Sequence, residues 1–275
     1  KEPNQGAIID TPDGEWYFLT HHGTGDFDGR VISVLPVHWE DGWPLIGEDS
    51  DNDGVGEMVW ELPIPSTGAV PLTMQTSDDF VGDRVAPQWE WSHQPRDDRW
   101  SLSERRGCLR LHAFPQLRPG DFFSTGNMLS QRYIHWDRGE ATAQLGIADM
   151  ADGQRAGLTH CNGGKDYACL ELRRDGDNLK LFVVRRYSGE PEIETEVTEL
   201  PRRTRKVYLR TTIDFGGNAS FAWSRDGKRF TPCDTTYQLK WGSYRGDRIG
   251  LYTFNNDREA GLIDIEDFKY VEITP

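Results

Sequence analysis

Asp49, Asp51 and Asp53, followed by Gly54, repeat the first half of a calcium loop, with carboxylates at its first, third and fifth positions and glycine at the sixth. The closing position falls on Trp60 where the full loop requires a bidentate glutamate, and Glu61 comes one residue late. No second helix pattern follows, so the segment reads as a solvated acidic turn. His21 and His22 are adjacent in a strand-like run, so their side chains point to opposite faces and cannot share one metal. The four cysteines, Cys108, Cys161, Cys169 and Cys233, contain no CxxC pair, which argues against structural zinc. Cys161 and Cys169 flank a short Gly-rich stretch and either bridge the two ends of a hairpin or remain buried thiols. No serine sits in a GxSxG nucleophile elbow. Trp39, Trp43, Trp89, Trp91 and Trp100 offer ring faces of the kind that stack on sugars, although tryptophans at strand ends more often plug cores or interfaces.

The charge balance narrows the partners. With 45 acidic against 31 basic residues in 275, the formal net charge is -14. Such a surface repels phosphate backbones and anionic membranes, so nucleic acid and membrane are poor partners. It suits a neutral ligand such as a sugar, or a saline habitat. No apolar run reaches about 18 residues and no leader pattern stands at Lys1, so the chain reads as soluble. The compartment stays open, with an extracellular or periplasmic setting favoured.

Elements able to position these residues are strands throughout. Glycine (29), proline (15) and 11% aromatics predict an all-β protein. Residues 7–9, 16–21, 30–39 and 43–46 make four strands within about 40 residues, which matches one β-propeller blade. The turn Thr11-Pro12-Asp13-Gly14 has hairpin chemistry, with proline presetting φ and glycine taking it positive. Residues 62–76, with three prolines, read as a linker or strap. Further strands are expected at 101–113, 139–147, 168–173, 179–187, 206–215, 219–223, 247–254 and 263–273, forming a two-sheet sandwich over 77–275.

NQGAIIDTPDGEWYF followed by GRVISVLPVHWEDGWPLIG resembles the last blade of family 43 glycoside hydrolases, the β-xylosidases and α-L-arabinofuranosidases. SDDF, PQWEWSHQPRDDRWSLSERRGCLRLHA, NMLSQR, DGQRAGL, GDRIGLYTFN and GLIDIEDFKYVEI then resemble the sandwich that follows that blade in many of these enzymes. The resemblance implies the terminal blade of a five-bladed propeller over residues 1–61 and a concanavalin A-like jelly-roll sandwich resting on it. It also implies an inverting glycosidase whose acid and base stand far enough apart to hold a water, roughly 6.5–9.5 Å. The three catalytic carboxylates of that family lie on earlier blades and match nothing here. The expected partners are therefore a neutral plant cell-wall oligosaccharide and the remaining blades, from the same or a second polypeptide. The alternative is a non-catalytic carbohydrate-binding module for xylan or arabinoxylan.

The same resemblance names site residues. Arg30 matches the arginine of a GR motif beside the catalytic carboxylates, where a guanidinium holds a carboxylate ionised and donates to a sugar hydroxyl. Gln5, with Asn4 and Gly6, opens the channel-facing strand; relatives often carry histidine where Asn4 stands. Trp241 and Tyr244, in KWGSYRGDRIG, match an aromatic that shapes the pocket mouth. Asp79 and Asp264 fall on the opening and closing strands of the sandwich, which lie side by side in similar folds, and are expected to clamp a structural Ca²⁺. No cofactor is expected for the chemistry.

Overall fold

The computed structural model describes residues 5–63, 73–242 and 244–273. Asn4 and most of the 62–76 linker lie outside the described residues. Contacts divide the chain into Lys1–Met74 and Gln75–Pro275.

In the first unit, β1 (Gly6–Asp10), β2 (Trp16–Gly23), β3 (Arg30–Glu40) and β4 (Trp43–Ile46) pair in sequence order as an antiparallel meander. The Thr11–Glu15 turn closes the first hairpin, with Thr11 N–H donating to the Glu15 carbonyl at 2.8 Å. This sheet is the four-strand blade unit that the spacing of turns predicts. Several of its apolar side chains face outward; Ile32 is 83% and Trp43 79% exposed.

In the second unit, fourteen strands follow: β5 (Glu90–Trp91), β6 (Trp100–Ser101), β7 (Leu109–His112), β8 (Asn127–Arg132), β9 (Arg138–Gly146), β10 (Gln154–Asn162), β11 (Asp166–Asp175), β12 (Asn178–Arg186), β13 (Ile193–Leu200), β14 (Lys206–Asp214), β15 (Asn218–Ser224), β16 (Thr231–Gln238), β17 (Arg248–Asn255) and β18 (Leu262–Glu272). They form two antiparallel seven-stranded sheets, ordered β13-β12-β11-β10-β17-β8-β5 and β16-β15-β14-β9-β18-β7-β6. Leu158, Leu170, Leu172, Leu181, Ile249 and Leu251 of the first sheet are fully buried, as are Ala143, Leu145, Leu209, Ile213, Ile265 and Phe268 of the second. Their alternation along each strand is the period that the core of a two-sheet sandwich requires.

Several expectations need correction. The strand predicted over 101–113 is broken into β6 and β7, because Ser101 Oγ accepts from Ser103 N–H and Glu104 N–H and turns the chain. Strand β10 adds to the expected set; its residues are buried on both faces and show no alternation that would mark it in the sequence. Between Ile193 and its one buried residue, Leu200, strand β13 carries only glutamates and threonines apart from Val197, and β16 carries Pro232, since both lie at sheet edges where charges and proline are tolerated. All four cysteines are free and buried. Cys161 pairs with Tyr167 and Cys169 with Thr159, so the two sulfurs are diagonal neighbours. Diagonal positions stand about 7–8 Å apart, beyond what a disulfide spans.

The first sheet differs from an ordinary half-wetted sheet. Between Asp166 and Leu172 every residue of β11 is buried. Its core side carries Ala168, Leu170 and Leu172; the other side carries Tyr167, Cys169 and Glu171. A strap before β8 covers that second side through a short 3₁₀ turn, Phe122–Ser124, capped by Asp121 accepting from Phe123 N–H at 3.1 Å. Phe122 stacks on Tyr167 at 4.3 Å between ring centroids and meets Tyr252 edge-on at 5.1 Å.

The turn between β15 and β16 carries a charge-dependent lock. Asp226 accepts backbone N–H bonds from Arg229 and Lys228 and a hydroxyl bond from Ser224, which pull its carboxyl down to about 2. A lowered folded-state value means stabilisation present above the ordinary aspartate range and lost as pH falls through about 2. A carboxylate NMR titration of Asp226 should therefore show its midpoint near 2; a midpoint at the ordinary value would break this account.

Candidate functional site

On the blade, Arg30 begins β3 opposite Gly23 of β2 and is partly buried. Gln5 is exposed, and its carbonyl accepts from the Thr20 hydroxyl at 2.9 Å, fixing the entry to β1. His21 and His22 do diverge: His22 Nδ1 bonds Ser33 Oγ at 2.6 Å and its ring meets Trp60 edge-on at 5.2 Å.

The acidic turn at Asp49–Gly54 closes on itself. Asp53 N–H and Gly54 N–H donate to the Asp49 carboxylate, and Val55 N–H to Asp53. Among the described residues this is the one place where three acidic groups converge within metal-ligand spacing. Its oxygens already serve the backbone of the turn.

Trp241 and Tyr244 stand on a loop that a buried polar node anchors. Asn162 Nδ2 donates to the Lys240 carbonyl and to Asp166 Oδ2, each at 3.0 Å, and Asp166 Oδ1 accepts from Ser188 N–H at 2.6 Å. The Gly242 backbone approaches so closely that a Cβ there would fall 2.2 Å from the Asn162 side chain. Held this way, Trp241 is 41% and Tyr244 59% exposed. Beside this loop a cavity of about 210 Å³ opens between Trp91, Phe123, Met128, Arg245 and Arg248. Glu90 neutralises both arginines. Burial lowers the Arg248 guanidinium to about 10, and Arg245 adds to the effect.

The calcium clamp expected at Asp79 and Asp264 does not fit. Asp264 is buried, and its carboxylate accepts from Arg110 Nε at 2.8 Å and Arg105 Nη1 at 2.7 Å. Burial opposes its ionisation, but the two guanidiniums outweigh burial and hold the carboxyl below its ordinary value. Two cations bound to one carboxylate repel a divalent ion, so the clamp is a double ion pair joining β18 to β7 and the turn before it. Asp79 is exposed and accepts from Val81 N–H at 3.2 Å. Its neighbour Asp78 is the working residue of the SDDF segment. It bridges to Phe268 of β18, receives Phe80 N–H at 2.8 Å and binds Trp89 Nε1 at 2.9 Å.

Sequence reasoning missed Glu171. It is 3% exposed on the strap side of β11 and accepts from Tyr252 OH and Arg173 Nε, each at 2.6 Å. Tyr252 reaches it across Gly157, which lies in register with both residues and carries no side chain to intervene. Nothing in the local sequence separates this glutamate from an exposed one.

Residues 77–271 match the family described as the β-xylosidase C-terminal concanavalin A-like domain. A β-xylosidase of Formosa agariphila is 33% identical over 98% of this chain and 48% of its own length. The non-reducing end α-L-arabinofuranosidase BoGH43B of Bacteroides ovatus is 25% identical over 90% of this chain and 47% of its own. A solved structure described as a bifunctional GH43-CE protein of Bacteroides eggerthii superposes with a TM-score of 0.78 at 27% identity, covering 99% of this chain and 34% of that one. The chain spans about half the length of the curated relatives it matches. Together, the matched sandwich and the blade aligned ahead of it place the chain in glycoside hydrolase family 43, as the C-terminal part of that enzyme type.

Proposed function

We propose that the chain is the C-terminal portion of an inverting glycosidase that hydrolyses xylosyl or arabinofuranosyl linkages of hemicellulose. The observation that carries this reading is the 33% identity to a β-xylosidase across 98% of the chain. Apolar side chains turned outward on the blade, Ile32 and Trp43 above all, support docking against further blades. In this reading the acid and base come from those other blades, and a single displacement by water inverts the anomeric carbon. Arg30 is the contribution of this chain to the pocket: its guanidinium keeps a neighbouring carboxylate ionised and donates to a sugar hydroxyl. Tyr244 and Trp241 are proposed to line the pocket mouth and stack on the sugar ring.

The test uses 4-nitrophenyl β-D-xylopyranoside and α-L-arabinofuranoside. The chain alone should hydrolyse neither. Fused behind the missing half of the Formosa agariphila β-xylosidase it should restore turnover, and Arg30→Ala should lower kcat/KM at least about tenfold in the fusion. Hydrolysis by the chain alone would overturn the reading, as would an Arg30→Ala fusion with full activity.

A further inference from the structure

The strap side of the first sheet holds a second cavity of about 230 Å³, lined by Arg155, Tyr167, Glu171, Glu192, Glu194 and Phe254 among others. We propose that it is a binding site for one neutral sugar ring. This goes beyond the hydrolase reading, because none of the residues assigned there to the pocket, Arg30, Trp241 and Tyr244, lines this cavity.

The cavity is built and held open. Its floor is β11, with Glu171 buried and fixed by Tyr252 and Arg173. One wall is the β12–β13 connection and the start of β13. There Glu192 receives the Tyr167 hydroxyl, and Glu194 takes a two-pronged bond from Arg173 at 2.8 and 2.6 Å. The opposite wall is the strap, clipped to the loop after β17 by a reciprocal amide pair. Gln116 N–H donates to Asn256 Oδ1, and Asn256 Nδ2 donates to Gln116 Oε1, both at 2.9 Å. The Arg155 guanidinium lies 5.9 Å from the centre of the Phe254 ring and 3.5 Å from Glu171, at the open side.

Its chemistry selects the ligand class. Three carboxylates, Glu171, Glu192 and Glu194, and the Arg155 guanidinium line it, and Arg173, outside the lining, pairs with Glu171 and Glu194, which leaves one net negative charge. The carboxylates disfavour an anion, and the guanidiniums disfavour a bare metal ion. A ligand that both donates to carboxylates and accepts from a guanidinium, while lying against phenyl rings, is a polyhydroxylated ring with an apolar C–H face. The volume, below the roughly 300–1,000 Å³ of drug-sized pockets, leaves room for one ring and not for a chain.

The experiment is titration of the whole chain, isotope-labelled, with D-xylose, L-arabinose and D-glucose, followed by NMR, with putrescine and Ca²⁺ as competing chemistries. The expected result is millimolar binding of at least one sugar, with shifts at Arg155 and the β11 amides. Arg155→Ala and Glu192→Ala, both at the rim, should each weaken it about tenfold while the variants stay folded, as far-UV circular dichroism checks. Binding of glucose in place of the pentoses supports the cavity and leaves the hydrolase assay to judge the other reading. No response to any sugar, sugar binding that survives both substitutions, or a response to putrescine or Ca²⁺ alone overturns the proposal.

Discussion

Replacing His160 with alanine should lower the stability of the sandwich by about 3–5 kcal/mol at neutral pH, the cost of leaving a fully buried carboxylate without its partner. His160 stands in the core with no exposed surface. Its Nδ1 lies 2.8 Å from Asp247 Oδ1 and its Nε2 2.9 Å from Thr211 Oγ1. One imidazole thus ties β10 to β14 and to the turn that leads into β17. Burial raises the Asp247 carboxyl above its ordinary 3.8, and His160 is the chief group opposing that rise. Without the ring, the carboxylate keeps the desolvation cost and loses its partner.

The sign with pH follows. A folded-state value above the unfolded one contributes stability that is complete below the ordinary aspartate range and disappears as pH rises through the folded value. The deficit of the variant should accordingly be largest at neutral pH and shrink towards acid. Urea denaturation at pH 7 and at pH 5 measures both quantities. A loss under about 1 kcal/mol at pH 7, or a gap that widens in acid, would contradict the role assigned to the pair. At 2–4 °C per kcal/mol for a domain of this size, the melting temperature should fall by roughly 10 °C.

Trp89→Ala should cost a similar amount, about 3–5 kcal/mol, whereas Trp43→Ala should change stability by no more than about 0.5 kcal/mol. Trp89 is buried against Phe268, with centroids 5.0 Å apart, and against Phe80 at 5.9 Å, while its indole N–H is held by Asp78. That cluster fastens the opening segment of the sandwich to its closing strand. Trp43 is 79% exposed in this chain. Calorimetry of both variants tests the contrast. Equal losses would mean that the blade tryptophan is packed in a way its exposure does not reveal.

The two tryptophans show where sequence reading stops. Strands were legible wherever turn chemistry and alternation coincide: the bounds of β3, β4, β14 and β18 follow within about a residue from proline, glycine and aspartate turns and from apolar spacing. Burial of a given side chain was not, because Trp43 and Trp89 have the same local signature and differ only in what folds over them. The same holds for charge. Asp264 looks like a metal ligand until Arg105 and Arg110 arrive from residues more than 150 positions away. Glu171 looks like a surface acid until Tyr252 and the strap cover it. Arg30, Gln5, Trp241 and Tyr244 were named by resemblance, and their spatial roles depend on neighbours that no local pattern encodes.

The strap has a consequence for how this sequence can change over time. A strand with one wet face can drift at every second position, and copying errors there go unpunished. Strand β11 has no such silent positions from Asp166 to Leu172, because one side is read by the core and the other by the strap. Successive residues answer in turn to two different neighbourhoods, hydrocarbon on one side and a hydrogen-bonded carboxylate with aromatic rings on the other. Divergence in this sandwich is therefore channelled into its edges and turns, while β11 keeps the record of what both of its surfaces were built to hold.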